Sequence, residues 1–205
     1  PSPYCLDVIP LKSISDIYDQ FLGYHHEYDD SGILENVLKS EFRKSNGAVT
    51  TPEHIVHNTI DSTVPSEYLQ SLTNQQILDL KFLDPACGSG VFLVSIYDHL
   101  ATQIESNIEE RKDVLPHRYL YEKDGKKYLN LEGRKLIVNQ CLHGVDINQE
   151  CVEVAKLSLS LKIIDGFEPI DFNNAGLYGS QILHGVGVNI KCGNSLVEPD
   201  ILERF

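Results

Sequence analysis

The chain contains no methionine, and its basic residues are outnumbered: 17 Lys and Arg stand against 30 Asp and Glu, a formal net charge of −13. It begins with Pro1, so the expectation is a segment cut from a longer protein. The acidic balance argues against this stretch as the main surface gripping nucleic-acid phosphates, and it reads as an ordinary solvated acidic face. Cysteines are scarce and odd in number, the five being Cys5, Cys87, Cys141, Cys151 and Cys192. None forms a C-x-x-C pair, so neither a disulfide framework nor a zinc site is indicated. Buried apolar thiols in a reducing, cytoplasmic setting are expected instead. No apolar run reaches the roughly 18 residues of a membrane span, and no signal-peptide pattern opens the chain. What remains, at 205 residues, is one domain with a small appendage, large enough to bury a real core.

The densest signal is Asp84-Pro85-Ala86-Cys87-Gly88-Ser89-Gly90-Val91-Phe92-Leu93-Val94. The apolar run before it (Ile77, Leu78, Leu80, Phe82, Leu83) predicts a strand. The pattern after it predicts a helix from Val91 to about Ile108, with Phe92, Leu93, Ile96, Leu100 and Ile104 on one face. Strand, glycine turn and helix make a nucleotide cradle. Gly88 and Gly90 can take positive φ and admit a ligand to the bare backbone, and the free N–H groups at the helix start favour polar or anionic groups. Many α/β turns carry glycine for steric reasons alone, so two further residues matter. The dinucleotide fingerprint wants Gly or Ala where this chain has Leu93, and Asp84 ends the strand where open α/β sheets bind ligands. That carboxylate repels a pyrophosphate and welcomes a cationic amino group. An amino-acid-bearing nucleoside fits better than a dinucleotide.

Further along, Tyr119 to Leu129 alternate around Asp124-Gly125, the signal of a type I′ hairpin. It is expected as an insertion over about 117–130, standing off the sheet with a solvated basic tip. The sheet resumes at Leu142–Asn148, followed by a helix carrying Cys151, Val152, Val154, Ala155, Leu157 and Leu159. Asp146 ends that strand 56 residues past Gly90 (146 minus 90), where a ribose-binding acid ordinarily follows after about 20. The hairpin accounts for the difference. The plain alternative is an Asp that ends a strand and helps cap a helix. A third strand is expected over Val186–Cys192, running into Gly193-Asn194-Ser195-Leu196.

The stretch Asp84 to Leu93 resembles the cofactor motif of N6-adenine DNA methyltransferases, which use S-adenosylmethionine. Asp146 and Asn194 follow in the order that resemblance requires. It implies that Asp84 engages the methionine ammonium, with Ala86, Gly88, Ser89 and Gly90 forming the loop beside it. It implies further that Asp146 holds the ribose, Ile147 lies against the adenine face, and Asn194, beside Ser195, accepts from the adenine amine. Upstream, Thr50-Thr51-Pro52 is similar to the family's Thr-Pro motif, which covers the methionine end of the cofactor and lies 32 residues before Asp84 (84 minus 52). The family usually has an aromatic at the place of Thr50. Locally, Thr51 is expected as an N-cap with Pro52 at the first helical position, and Ile55, Val56, Thr59 and Ile60 form an apolar stripe.

Residues 1–45 read as a helical appendage. Ile14, Ile17, Tyr18, Phe21 and Leu22 recur at helical spacing after Ser13, and a second helix is expected from Leu34 to Phe42. His25-His26 is expected in a loop rather than at a metal. The segment Ile17–Gly23 resembles a helical stretch found before the methyltransferase domain of large restriction–modification enzymes.

The base-flipping members of the family use Asn/Asp-Pro-Pro-aromatic to hold the target amine. No Pro-Pro pair, and no Pro-Cys pair of a cytosine-C5 enzyme, occurs before Phe205, eleven residues after Asn194 (205 minus 194). The resemblance therefore implies an α/β, Rossmann-like S-adenosylmethionine-dependent methyltransferase fold, truncated after the third strand, with residues 46–205 forming its cofactor-binding part. It supplies no catalytic residue and no metal ligand. DNA, and a specificity or nuclease region or subunit, would be met through other parts of the parent. A methyltransferase acting on RNA or protein, a non-catalytic cofactor-binding subunit and, third, a nicotinamide dehydrogenase are the alternatives.

Overall fold

The computed structural model describes residues 24–28, 34–38, 51–110, 115–167 and 185–197, the first two segments by their backbone. The chain divides into two compact units, Pro1–Thr51 and Pro52–Phe205. In the first, β1 (Tyr24–Tyr28) and β2 (Leu34–Leu38) pair antiparallel, with Tyr24 opposite Leu38 and Tyr28 opposite Leu34. The helix expected from Leu34 is thus a strand over Leu34–Leu38, and His25-His26 lie in β1 instead of a loop. Leu34, Val37 and Leu38 have helical spacing, yet so short a run makes a marginal helix. The turn-forming types Asp29-Asp30-Ser31-Gly32 between two short runs favour a hairpin. The first expected helix, Ile14–Leu22, lies outside the described residues.

The second unit opens with α1 (Glu53–Thr63). Pro52 is its N-cap, at φ −57° and ψ 141°, with no side-chain cap bond. The expected arrangement, Thr51 capping and Pro52 inside the helix, is displaced by one residue. Pro52 keeps an extended ψ while its carbonyl accepts from the N–H groups of Ile55 at 2.9 Å and Val56 at 3.1 Å, which is the N-cap's part. Val56 and Ile60 are buried, whereas Ile55 faces out. After α2 (Ser66–Gln70) comes α3 (Asn74–Asp79), which takes Ile77 and Leu78 out of the expected strand. Its start is a capping box: Gln76 N–H donates to Thr73 Oγ1 at 3.3 Å, and Thr73 N–H donates to Gln76 Oε1 at 2.9 Å. Only β3 (Phe82–Asp84) is left as strand.

From β3 the chain enters α4 (Val91–Glu109), then the hairpin β4 (Leu120–Lys123) and β5 (Lys126–Leu129). Next come α5 (Leu131–Cys141), β6 (Leu142–Asp146), α6 (Gln149–Ile164) and β7 (Ile190–Cys192). The last strand is shorter than the expected Val186–Cys192 because residues 185–189 form turns. β3, β6 and β7 make a parallel sheet in that order, with Phe82 opposite Leu142 and Gly144 opposite Ile190. Both crossovers therefore wind the same way, and right-handed crossovers of one direction place their helices on one face. That face is filled: Leu142 and Ile190 are buried, and a Cβ on Gly144 would lie 2.9 Å from Leu93 Cδ1 of α4. The opposite face carries Leu83, His143, Val145 and Lys191, none of them buried, with Leu83 65% exposed.

The hairpin turn has the type I′ signature, positive φ at both Asp124 (53°) and Gly125 (74°). Its tip, residues 122–126, is exposed, while its base is anchored. Leu129 is fully buried, and Lys126 pairs with Glu109 at the last turn of α4. The 19 residues of α4, at about 1.5 Å each, put this basic tip at the far end of the helix from the glycine turn.

Gly133 shows how tightly the hairpin is held. Asn130 caps α5 by accepting from Gly133 N–H at 3.0 Å and donates through Nδ2 to Arg118 O at 2.9 Å. A Cβ on Gly133 would meet Tyr119 O at 2.5 Å. Helix propensity alone favours Gly133→Ala by about 1 kcal/mol. The overlap with backbone should instead make the variant less stable by about 1–3 kcal/mol in urea unfolding. A more stable variant would show that the hairpin gives way easily.

Candidate functional site

At the carboxyl end of β3 the backbone pairing continues into the glycine turn, where Cys87 N–H donates to Val145 O at 2.9 Å. Gly88 N–H then donates to Asp146 Oδ2 at 2.8 Å, joining residues 58 apart in sequence. Gly90 N–H closes the turn on Cys87 O at 2.8 Å. Both glycines have positive φ, 52° at Gly88 and 86° at Gly90, which is the N-cap of α4. They differ in what a side chain would meet. At Gly90 a Cβ would lie 3.0 Å from Ala155 Cβ of α6, so this glycine is there for packing. At Gly88 it would meet nothing within 4 Å. Gly88 therefore presents its backbone to open space, where a ligand can approach it.

Asp146 is committed on both oxygens. Oδ2 holds Gly88 N–H, and Oδ1 accepts from Asn148 N–H at 2.8 Å. Asn148, in turn, caps α6 by accepting from Glu150 N–H at 2.8 Å. The plain alternative for Asp146 is thus met in part, with Asn148 rather than Asp146 doing the capping. An ionised carboxylate has about four lone-pair directions, so two remain for further donors. The Asp-x-Asn spacing before a helix was the sequence signal for this turn.

The third strand closes the edge. Gly193 N–H donates to Asp146 O at 2.9 Å, which brings Asn194 beside the end of β6. Asn194 is exposed, and its Oδ1 accepts from Leu196 N–H at 3.0 Å, so any outside donor shares that oxygen. Ile147 is 72% exposed at the same edge. Asp84, Gly88, Asp146 and Gly193–Asn194 thus lie together at the carboxyl ends of adjacent parallel strands, the place where open α/β sheets bind ligands. Ala86 and Ser195 are exposed, and Ser89 is buried. Thr50 lies outside the described residues, and Thr51 and Pro52 fall on either side of the division between the two units.

The electrostatics are those of two neighbouring carboxylates. Asp84 is held above the ordinary carboxylate range chiefly by burial, opposed by the Ala86 N–H bond at 3.1 Å and reinforced by the charge of Asp146. Beneath them the Cys87 thiol is pushed up to about 12 by burial, with both carboxylates adding to the shift. It is a neutral packing group and not a nucleophile. Cys141 and Cys151 are buried as well, whereas Cys192 is exposed. Two carboxylates placed together favour a ligand bearing positive charge.

The family model described as MmeI, DNA-methyltransferase domain, matches residues 58–197, more than half of the chain. The chain is 27% identical over 202 residues to the type II restriction enzyme and methyltransferase RM.Eco57I of Escherichia coli, covering 96% of this chain and 19% of that protein. It is 29% identical over 218 residues to the putative type II restriction enzyme and methyltransferase RM.MjaORFECS2P of Methanocaldococcus jannaschii, covering 89% of this chain and 17% of that one. The chain thus spans less than a fifth of the length of these curated relatives. Among solved structures, the type IIL restriction-modification enzyme MmeI in complex with DNA aligns with a TM-score of 0.50 at 18% identity, over 80% of this chain and 22% of that one. That likeness is one of fold.

The raised Asp84 has a consequence for stability. A carboxyl whose folded pKa exceeds its unfolded one binds its proton more tightly when folded, so stability falls as pH rises through that window and stays lower above it. Asp84→Asn mimics the neutral form and keeps an acceptor for Ala86 N–H. Its Tm should exceed that of the unchanged chain at pH 7, with the gap closing as pH falls towards about 4. A variant less stable at every pH would show that Asp84 is a structural carboxylate.

Proposed function

Since the chain belongs to the MmeI DNA-methyltransferase domain family, we propose that its site binds S-adenosylmethionine and that the chain is the cofactor-binding part of a restriction–modification enzyme methylating adenine N6 in DNA. The observation that carries this reading is the pair of carboxylates, Asp84 and Asp146, at neighbouring strand ends around a glycine turn with open space over Gly88. An ammonium and a sulfonium are cations, and a nucleoside offers ribose hydroxyls. Asp84 takes the ammonium, the Gly88 side of the turn (Ala86 to Gly90) takes the amino-acid backbone, and the two remaining lone-pair directions of Asp146 take the ribose hydroxyls. Ile147, already in solvent, lies on the adenine face, and Asn194 and Ser195 receive its edge. The resemblance assigns Thr50, Thr51 and Pro52 to the methionine end.

When bound, the cofactor supplies an electrophilic methyl group on a sulfonium. The residues of this chain orient it and hold its charge. Asp84 would hold the cofactor's ammonium and Asp146 its ribose, so that the methyl group would be presented to an acceptor amine. Holding the target base falls to a region outside this chain, as do DNA contact and any specificity or nuclease part. On the other sheet face Leu83 and Lys191 are exposed and His143 and Val145 half-buried. Among the described residues no helix is long and apolar enough to cross a membrane, and work on DNA implies the cytoplasm.

Calorimetric titration with S-adenosylmethionine tests the site. Asp146→Ala should weaken binding by about 1.5–3 kcal/mol, the range for hydrogen bonds to a charged group. Affinity should also fall as pH drops through the raised pKa of Asp84. Unchanged affinity in folded Asp146→Ala would remove the ribose assignment.

The chain by itself should methylate nothing. The adenine amine needs acceptors aimed at its hydrogens, and the base must sit about 3–3.5 Å from the methyl. No Pro-Pro pair is present to do this, and a net charge of −13 offers DNA little attraction. Labelled cofactor with mixed-sequence duplex decides it. Turnover above that of Asp84→Ala would place the chemistry among residues assigned here to scaffold.

A further inference from the structure

β7 is only three residues long, yet the adenine side of the site hangs from it. A strand so short has little pairing of its own with which to fix register, and a slip of one residue turns every side chain to the other face. Here a slip would expel Ile190, 1% exposed, and draw in Lys191. It would also carry Gly193 off Asp146 O and move Asn194 with it. Something before β7 has to hold the chain.

That hold converges on one side chain of α5. Asn139 Nδ2 donates to Gly185 O at 2.8 Å, and Asn139 Oδ1 accepts from Gly187 N–H at 3.2 Å. The Asn139 carbonyl accepts from Asn189 Nδ2 at 2.6 Å. Gly185 and Gly187 both take positive φ, so the turn has a defined path, and Gly187 O then receives Ile190 N–H at 2.9 Å as β7 begins. Asn189 O, next in line, accepts from Gly144 N–H of β6 at 3.2 Å.

We propose that Asn139 is a positioning residue for the adenine side of the site, setting the register of β7 and through it the placement of Asn194. The proposal rests on the cofactor reading above. Asn139 lies at the other end of the strands from the site. Alanine is a good helix residue, so Asn139→Ala removes two of the three bonds without penalising α5.

The test uses the full 205-residue chain. In free protein, amide exchange at Ile190 and Gly193 should rise about tenfold in Asn139→Ala, in line with two lost hydrogen bonds, while exchange at Gly88 and along α4 is unchanged. Binding is then compared between S-adenosylmethionine and its analogue with hypoxanthine in place of adenine. The unchanged chain should prefer the adenine compound, and Asn139→Ala should lose most of that preference. Global destabilisation would lower both affinities together and leave their ratio alone. Asn189→Ala, cutting the same hold from the loop side, should behave alike. Exchange that rises equally everywhere, or a preserved preference in both variants, overturns the proposal. If the unchanged chain binds neither compound, the cofactor reading itself fails and takes the proposal with it.

Discussion

The bond from Gly88 N–H to Asp146 Oδ2 is where the two halves of the site become one object. β3 and β6 are separated in sequence by α4, the hairpin and α5, and β3 has only three residues with which to pair. A carboxylate that takes Gly88 N–H on one oxygen and Asn148 N–H on the other ties the glycine turn to the start of α6. Hydrogen bonds to an ionised acceptor are among the stronger ones. The shape of the turn, the start of α4 and the start of α6 all follow from it, and β7 is brought to the same point through Gly193 and the Asp146 carbonyl.

Close packing sets the second constraint, and the chain meets it in an unusual distribution. The dinucleotide fingerprint places its third glycine on the helix so that the helix can approach the strand. Here Leu93 occupies that place, fully buried, and the missing side chain is on the strand instead, at Gly144. Gly90 and Ala155 make the matching close approach between the turn and α6. Cys87 fills the space under Gly144, which explains a buried thiol directly below two carboxylates without any chemistry for it.

The candidate site holds one carboxylate where its charged form is disfavoured. Asp84 is partly buried, next to a second carboxylate, and held above its ordinary pKa. Residues that lower the stability of the free protein while suiting a ligand are common where function and stability compete. The tip of the hairpin is exposed, as the basic sequence suggests, while Leu129 is buried in the core and Lys126 pairs with Glu109 at the far end of α4.

Sequence alone determined the parts whose cause is local. Asp-Gly with alternating flanks dictates a type I′ turn, two glycines before an apolar helical stripe dictate a turn into α4, and Asp-x-Asn ahead of a helix dictates the bend after β6. These depend on residues within a few positions of each other, so they are legible without neighbours. The family resemblance at Asp84, Asp146 and Asn194 rests on short ordered patterns of the same local kind. A further local cause, the Thr73–Gln76 box, took Ile77 and Leu78 into α3. Tertiary structure decided the rest. Leu34–Leu38 became a strand because Tyr24–Tyr28 was there to pair with it. Which glycine faces open space and which faces Ala155, and which distant Asn holds the turn before β7, depend on contacts between residues tens of positions apart. Such contacts leave no trace in local spacing, since each partner looks ordinary in its own segment and acquires its role only when the sheet brings the two together.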